Sequence, residues 1–93
     1  MNNTAIQPLS VQLYPNPNNG SFVLAGKFNS LNDDQVNVLI YNMLGNIVYH
    51  NTLVPVNGSI SEAIQMNNLE FGNYILKYNN GSENGSINFV VNR

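Results

Sequence analysis

No segment of this chain carries an apolar repeat with the period of a helix. Apolar residues instead alternate with polar ones in short runs, and turn chemistry interrupts those runs roughly every 8–12 positions. A period of two gives each strand one apolar face, and such a face is stable only when another layer covers it. The pattern therefore predicts an all-β fold, an immunoglobulin-like antiparallel β-sandwich of about seven short strands. The Cys…Trp…Cys core of antibody domains is absent, so the architecture alone is implied.

The expected strands are residues 9–14, 21–28, 36–41, 47–53, 60–65, 73–79 and 86–91. Leu9, Val11 and Leu13 share one face of the first, and Phe22, Leu24 and Gly26 one face of the second. Val36, Val38 and Ile40 line one face of the third, whose other face carries Leu39 and Tyr41. A strand apolar on both faces belongs in the middle of a sheet. Tyr74, Leu76 and Tyr78 alternate in the sixth strand, and Ile87, Phe89 and Val91 in the seventh. Pro15 and Pro17 end the first strand, because proline has no N–H for a ladder. Asn18-Asn19-Gly20, 42–46 with Gly45, and 55–58 read as turns, and 29–35 as a polar loop. The two Asn-Gly steps within 79–85 read as hairpin chemistry, since both residues accept positive φ.

A chain of 93 residues has room for one domain. Residues 1–6 read as a disordered leader and 7–93 as the folded unit. Charged residues make up 9% of the chain and the formal net charge is −2. Lys27, Lys77 and Arg93 are scattered, which argues against nucleic acid, normally gripped through several clustered cations. No apolar run approaches the roughly 20 residues of a membrane-spanning helix, so an integral membrane protein is not expected. With no cysteine, disulfides, thiolate metal sites and thiol nucleophiles are excluded. Asparagine is the commonest residue, often beside glycine or proline. Four of the five Asn-x-Ser/Thr sites (Asn19, Asn57, Asn80 and Asn84, against Asn2) are Asn-Gly-Ser turns.

Chemistry-bearing residues are sparse. His50 is the lone histidine and has no nearby carboxylate in sequence to orient it. Asp33-Asp34 lacks the spacing of a calcium loop. Glu62, Glu70 and Glu83 are scattered, so no acid–base pair is indicated. No catalytic residue, metal ligand or cofactor is expected, and the chain does not read as an enzyme. Tyr74, just past Gly72, is placed to bond a nearby turn as the tyrosine corner of sandwich domains does. Core or corner packing is expected of Tyr14, Tyr41, Tyr49 and Tyr78 as well.

Four segments together resemble a known family. Leu13-Tyr14-Pro15-Asn16-Pro17, followed by Asn19-Gly20 and Phe22, is similar to its "YPNP…G.F" opening. Val38-Leu39-Ile40-Tyr41-Asn42 with Gly45 and Val48 resembles its "v.iyn..G..v" segment. Leu69, Gly72 and Tyr74 resemble "L..G.Y", and the chain closes on an apolar strand ending at Val90-Val91. The family they resemble is the C-terminal sorting domain of the type IX secretion system of Bacteroidetes, and the resemblance spans about residues 9–93. One departure stands out. The family often carries threonine and lysine entering its last strand, whereas here the stretch is Ser86-Ile87-Asn88-Phe89.

The resemblance implies a non-catalytic signal on a larger parent protein. It would pass through the periplasm to the cell surface or medium. The implied partners are the outer-membrane translocon and its surface sorting protease, with the domain itself a monomer. The family motif residues are Tyr14, Pro15, Asn16, Pro17, Gly20, Phe22, Gly45, Leu69, Gly72 and Tyr74. The terminal strand, Ile87, Asn88, Phe89, Val90 and Val91, is the expected contact with the translocon, through β-augmentation at an exposed edge. A carbohydrate-binding or adhesive module is the alternative, and it requires an exposed aromatic row. A structural spacer is a third, disfavoured by the chain's apparent stop at Arg93.

Overall fold

The computed structural model describes residues 10–28, 35–67, 69–81 and 83–92. The proposed leader, Leu9, most of the 29–35 loop with Asp33-Asp34, and Arg93 lie outside the described residues. Among the described residues seven strands form: β1 (Ser10–Tyr14), β2 (Ser21–Lys27), β3 (Val36–Tyr41), β4 (Ile47–Leu53), β5 (Ser59–Gln65), β6 (Gly72–Asn79) and β7 (Asn84–Val91). They make a three-stranded sheet in the order β1-β2-β5 and a four-stranded sheet in the order β4-β3-β6-β7. Every pairing between neighbouring strands is antiparallel. The all-β sandwich expected from the period-two pattern is what forms, and no helix is long and apolar enough to cross a membrane among the described residues.

The core is the set of inward faces. Leu13, Phe22, Leu24, Ile60 and Ile64 from one sheet meet Val36, Val38, Ile40, Tyr74, Leu76, Tyr78, Phe89 and Val91 from the other. Leu24, Val36, Ile40 and Leu76 are completely buried. Burying a side chain of this size contributes roughly 1.5–3 kcal/mol relative to leaving it in water. β3 is flanked on both sides, as its doubly apolar pattern requires. Its outward Tyr41 lies beneath the Lys77 ammonium, 5.4 Å from the ring centroid. β4 is an edge strand and its side chains are mostly exposed, which accounts for its imperfect alternation.

The β6–β7 hairpin departs from expectation. The first Asn-Gly step forms the turn: Gly81 has φ +100°, and buried Asn80 exchanges hydrogen bonds with Glu83. The Asn80 N–H donates to the Glu83 carbonyl (3.0 Å), and the Asn80 Oδ1 accepts from the Glu83 N–H (2.9 Å). The second step is not a turn. Asn84 and Gly85 belong to β7, and Gly85 lies directly opposite Tyr78. A Cβ at Gly85 would stand 2.6 Å from Tyr78 Cζ, so the glycine makes room for the ring. The strand starts earlier than predicted because the aromatic ring of its neighbour occupies the space a side chain would take.

Gly85→Ala is expected to force Tyr78 off its rotamer and destabilise the domain by about 1–3 kcal/mol. Ser86→Ala, one residue on and exposed, should change stability by less than about 0.5 kcal/mol. Urea unfolding of the two variants checks the contrast.

Candidate recognition site

The Pro-Asn-Pro segment does more than end β1. Beyond Tyr14 the chain leaves the three-stranded sheet and lies along the outer edge of β7. The Tyr14–Pro15 and Asn16–Pro17 bonds are both cis. Asn16 then bonds β7 through its side chain: Nδ2 donates to the Asn88 carbonyl (3.3 Å) and Oδ1 accepts from the Val90 N–H (3.1 Å). Asn18 continues through its backbone, in a parallel bridge to Val91. Its N–H donates to the Val90 carbonyl (3.0 Å), and its carbonyl accepts from the Asn92 N–H (2.7 Å). The Asn18 side chain braces the strap from behind, donating to the Pro15 carbonyl (3.0 Å) and accepting from the Gly20 N–H (2.9 Å). Only 6% of Asn18 is exposed, so each of these bonds replaces one that water would otherwise supply.

Gly20 ends the strap, and two constraints fix its identity. Its φ is +105°, and a Cβ would sit 2.6 Å from the Met66 carbonyl oxygen. That closeness allows the Met66 N–H to donate to the Gly20 carbonyl at 2.8 Å. Phe22 follows and packs across the sandwich on Phe89, ring centroids 5.1 Å apart. Tyr74 stacks on the same Phe89 ring at 5.7 Å. Its hydroxyl donates to the Glu70 carbonyl (2.7 Å), the turn contact expected of a tyrosine corner. Three of the four sequence segments therefore converge on β7: the opening motif, Tyr74 and the terminal strand itself.

The remaining motif residues gather at one end of the four-stranded sheet. Asn42 organises the β3–β4 turn, its Oδ1 accepting from the N–H groups of Leu44 (2.9 Å) and Asn46 (3.0 Å). Gly45, with φ +86°, has open space around it, so it is there for backbone conformation. Leu69, Gly72 and Tyr74 border a shallow groove with Met43, Leu44 and Phe71. Leu44 is 85% exposed, and Met43 and Phe71 are exposed too.

The described residues bring few chemistry-bearing side chains together. No group of three or more His, Asp or Glu side chains comes together there, and His50 is exposed on β4. Glu83 is buried at the β6–β7 turn and Glu62 lies in β5, so the two carboxylates sit in different sheets. The five tyrosines do not form a row. Tyr14 is half exposed on the outer face of the three-stranded sheet, which corrects its assignment to packing. Tyr41 lies on the outer face of the other sheet, Tyr49 packs against the core, and Tyr74 and Tyr78 are inside. The aromatic row that carbohydrate binding requires is not formed by these residues.

By local pattern Asn18 is a turn residue, and nothing near Asn16 in sequence points to its bonds. A signal was present, since alternating Pro and Asn describe a chain too stiff for a simple turn. The bonding partner, however, lies more than 70 residues away. The expectation that β7 offers its edge for β-augmentation also needs correction. From Asn88 to Asn92 that edge is already occupied by the strap.

A family model described as "Secretion system C-terminal sorting domain" matches residues 12–92. No curated protein matches the chain.

Burial raises the pKa of Tyr74, with the Glu70 carboxylate adding to it, and burial followed by Glu83 does the same for Tyr78. The unfolded chain releases these two protons first as pH climbs through about 10. The stability they contribute is complete below that pH and is lost as pH rises through the folded-state values. Absorbance titration of phenolate should show two late-ionising tyrosines, with the denaturation midpoint falling in the same alkaline range. Tyr74→Phe removes the bond to Glu70 and should cost about 0.5–1.5 kcal/mol, measured by urea unfolding at neutral pH.

Proposed function

We propose that this chain, which belongs to the secretion system C-terminal sorting domain family of the type IX pathway, is a non-catalytic signal that directs a larger parent protein across the outer membrane. The match across residues 12–92 carries this reading. The parent crosses the periplasm, and the outer-membrane translocon recognises the folded domain. The surface sorting protease then acts on it at the cell surface, where cargo is kept or released.

The recognition surface in this reading is the strap together with β7. What supports it is the convergence of Asn16, Asn18, Asn88 and Val90 on one edge. Tyr14, Pro15, Asn16, Pro17, Gly20 and Phe22 build the strap and anchor it in the core. Ile87, Phe89 and Val91 point inward or pack on the core, whereas Asn88 and Val90 face outward. The translocon would therefore read outward side chains and strap atoms, with the inward residues holding them in register. Such a surface is complete only when the last strand has docked, so an unfinished or misfolded domain would not present it. Gly45, Leu69, Gly72 and Tyr74 shape the neighbouring end of the same sheet, with Gly72 and Tyr74 directly opposite Val91 and Phe89.

An export assay tests this. The whole chain is fused behind a periplasm-directed fluorescent protein and expressed in a Bacteroidetes host with, and without, the translocon. Reporter is expected outside the intact host and in the periplasm of the deleted one. A folded domain left in the periplasm of both would reject the sorting reading. Asn88→Glu, which changes the outward face of β7, should lower export several-fold. Leu44→Ser, at the apolar end, should leave it unchanged. The reverse pattern would move recognition to the groove at Met43, Leu44 and Phe71.

A further inference from the structure

An edge strand presents a row of unpaired N–H and C=O groups that another strand can join. Natural proteins protect such edges with charge, proline or a covering segment. β7, with the sequence NGSINFVV, is eight residues long and contains neither a charged residue nor proline. It is also the outermost strand of its sheet. In an antiparallel pair alternate residues direct their backbone groups away from the partner. The strap bonds to Asn88, Val90 and Asn92 identify the outward set on β7, and by the same alternation Asn84 and Ser86 belong to it.

Asn16 meets this edge in a specific way. Its carboxamide donates to the Asn88 carbonyl and accepts from the Val90 N–H, at 3.3 and 3.1 Å. Those are the two bonds that one residue of a parallel neighbouring strand makes through its own N–H and C=O, and Asn18 makes the same pair one step on with its backbone. We propose that Asn16 is an edge guard, its carboxamide standing in for the N–H and C=O of one residue of an additional strand and keeping β7 from pairing with β7 of a second copy of this chain. Self-pairing is the relevant threat because a two-fold antiparallel pairing of identical edges is self-complementary. On this strand no like charges would oppose it. Asn18 holds the end of the strand through its own backbone, so the guard's own contribution is the Asn88 carbonyl and the Val90 N–H, the outward groups that would extend a pairing begun at Asn84 and Ser86.

The test is the association state of the full chain by sedimentation velocity over a wide concentration range. The unaltered protein should be monomeric. Asn16→Ala should retain its β-sheet circular dichroism and show an average mass that rises with concentration to that of a dimer or larger. Adding Ser86→Pro, which deletes an outward N–H without touching the β6 ladder, should return Asn16→Ala to a monomer. A folded Asn16→Ala that stays monomeric throughout overturns the proposal. So does an unaltered chain that already self-associates through this edge. If Asn16→Ala fails to fold, amide hydrogen exchange on the unaltered chain decides the matter. A closed guard makes the Val90 N–H exchange at least about tenfold more slowly than the Ser86 N–H on the same edge. Equal rates would mean that the guard is not closed, and the idea would fall. None of these measurements depends on export, so their outcome stands apart from that of the sorting assay.

Discussion

Two sheets, each apolar on one face, must bury those faces against one another, and everything else in this domain is arranged around that burial. Phe22 on Phe89 is a central point of contact between the layers. Tyr74 extends the cluster to β6, and Phe28 on Tyr78 forms a second aromatic contact at 5.9 Å. A small domain buries a modest fraction of its surface, so the loss of one such ring is felt throughout. The glycines beside these rings follow from the same demand. Gly85 leaves space for Tyr78, and Gly20 lets the chain approach Met66 closely enough to bond it.

Burial alone leaves the sandwich open along its sides. The strap closes one of them by carrying the chain from the β1 sheet to the β7 edge. Its hydrogen bonds join the beginning of the described chain to its end, and they use asparagine in two ways. Asn16 supplies a side-chain amide as a substitute for a backbone one, while Asn18 supplies its backbone and uses its side chain as a brace. Asn42, Asn79 and Asn80 perform the second duty at other turns. The high asparagine content is thus partly a consequence of architecture, because a short carboxamide satisfies turn amides that no ladder reaches.

This arrangement bears on how a sorting domain can be recognised. Of the motif residues, Gly20, Phe22 and Tyr74 are buried and Gly45 holds a turn by its backbone conformation, so these four serve the shape of the domain. Tyr14, Pro15, Asn16 and Pro17 are nonetheless exposed. The strap, the outward β7 side chains and the apolar groove lie beside one another, since Gly72 and Asn73 of the groove pair with Val91 and Val90. Because the first and last segments complete each other, the surface proposed for recognition exists only in the finished fold.

Much of this was legible in the residues alone. Alternation identified every strand, and β3 and β4 were placed to the residue, because the side-chain period of a strand is a local property. The central position of β3 followed from Leu39 and Tyr41 on its second face. The corner bond of Tyr74 followed from its place after Gly72. The family was legible too, since its motifs are contiguous in sequence. What local pattern could not disclose was which atoms meet across long separations. Asn84-Gly85 looks like a turn by composition and is a strand because Tyr78, on the neighbouring strand, needs the space. Asn16 looks like part of a turn and is a strap because β7 passes beside it with an open edge. Strand identity, core face and family were determined by the order of residues, through local sterics and hydrophobic period. Strap pairing and the accessible face were decided only when the two sheets closed, since a hydrogen bond spanning over 70 residues has no local signature.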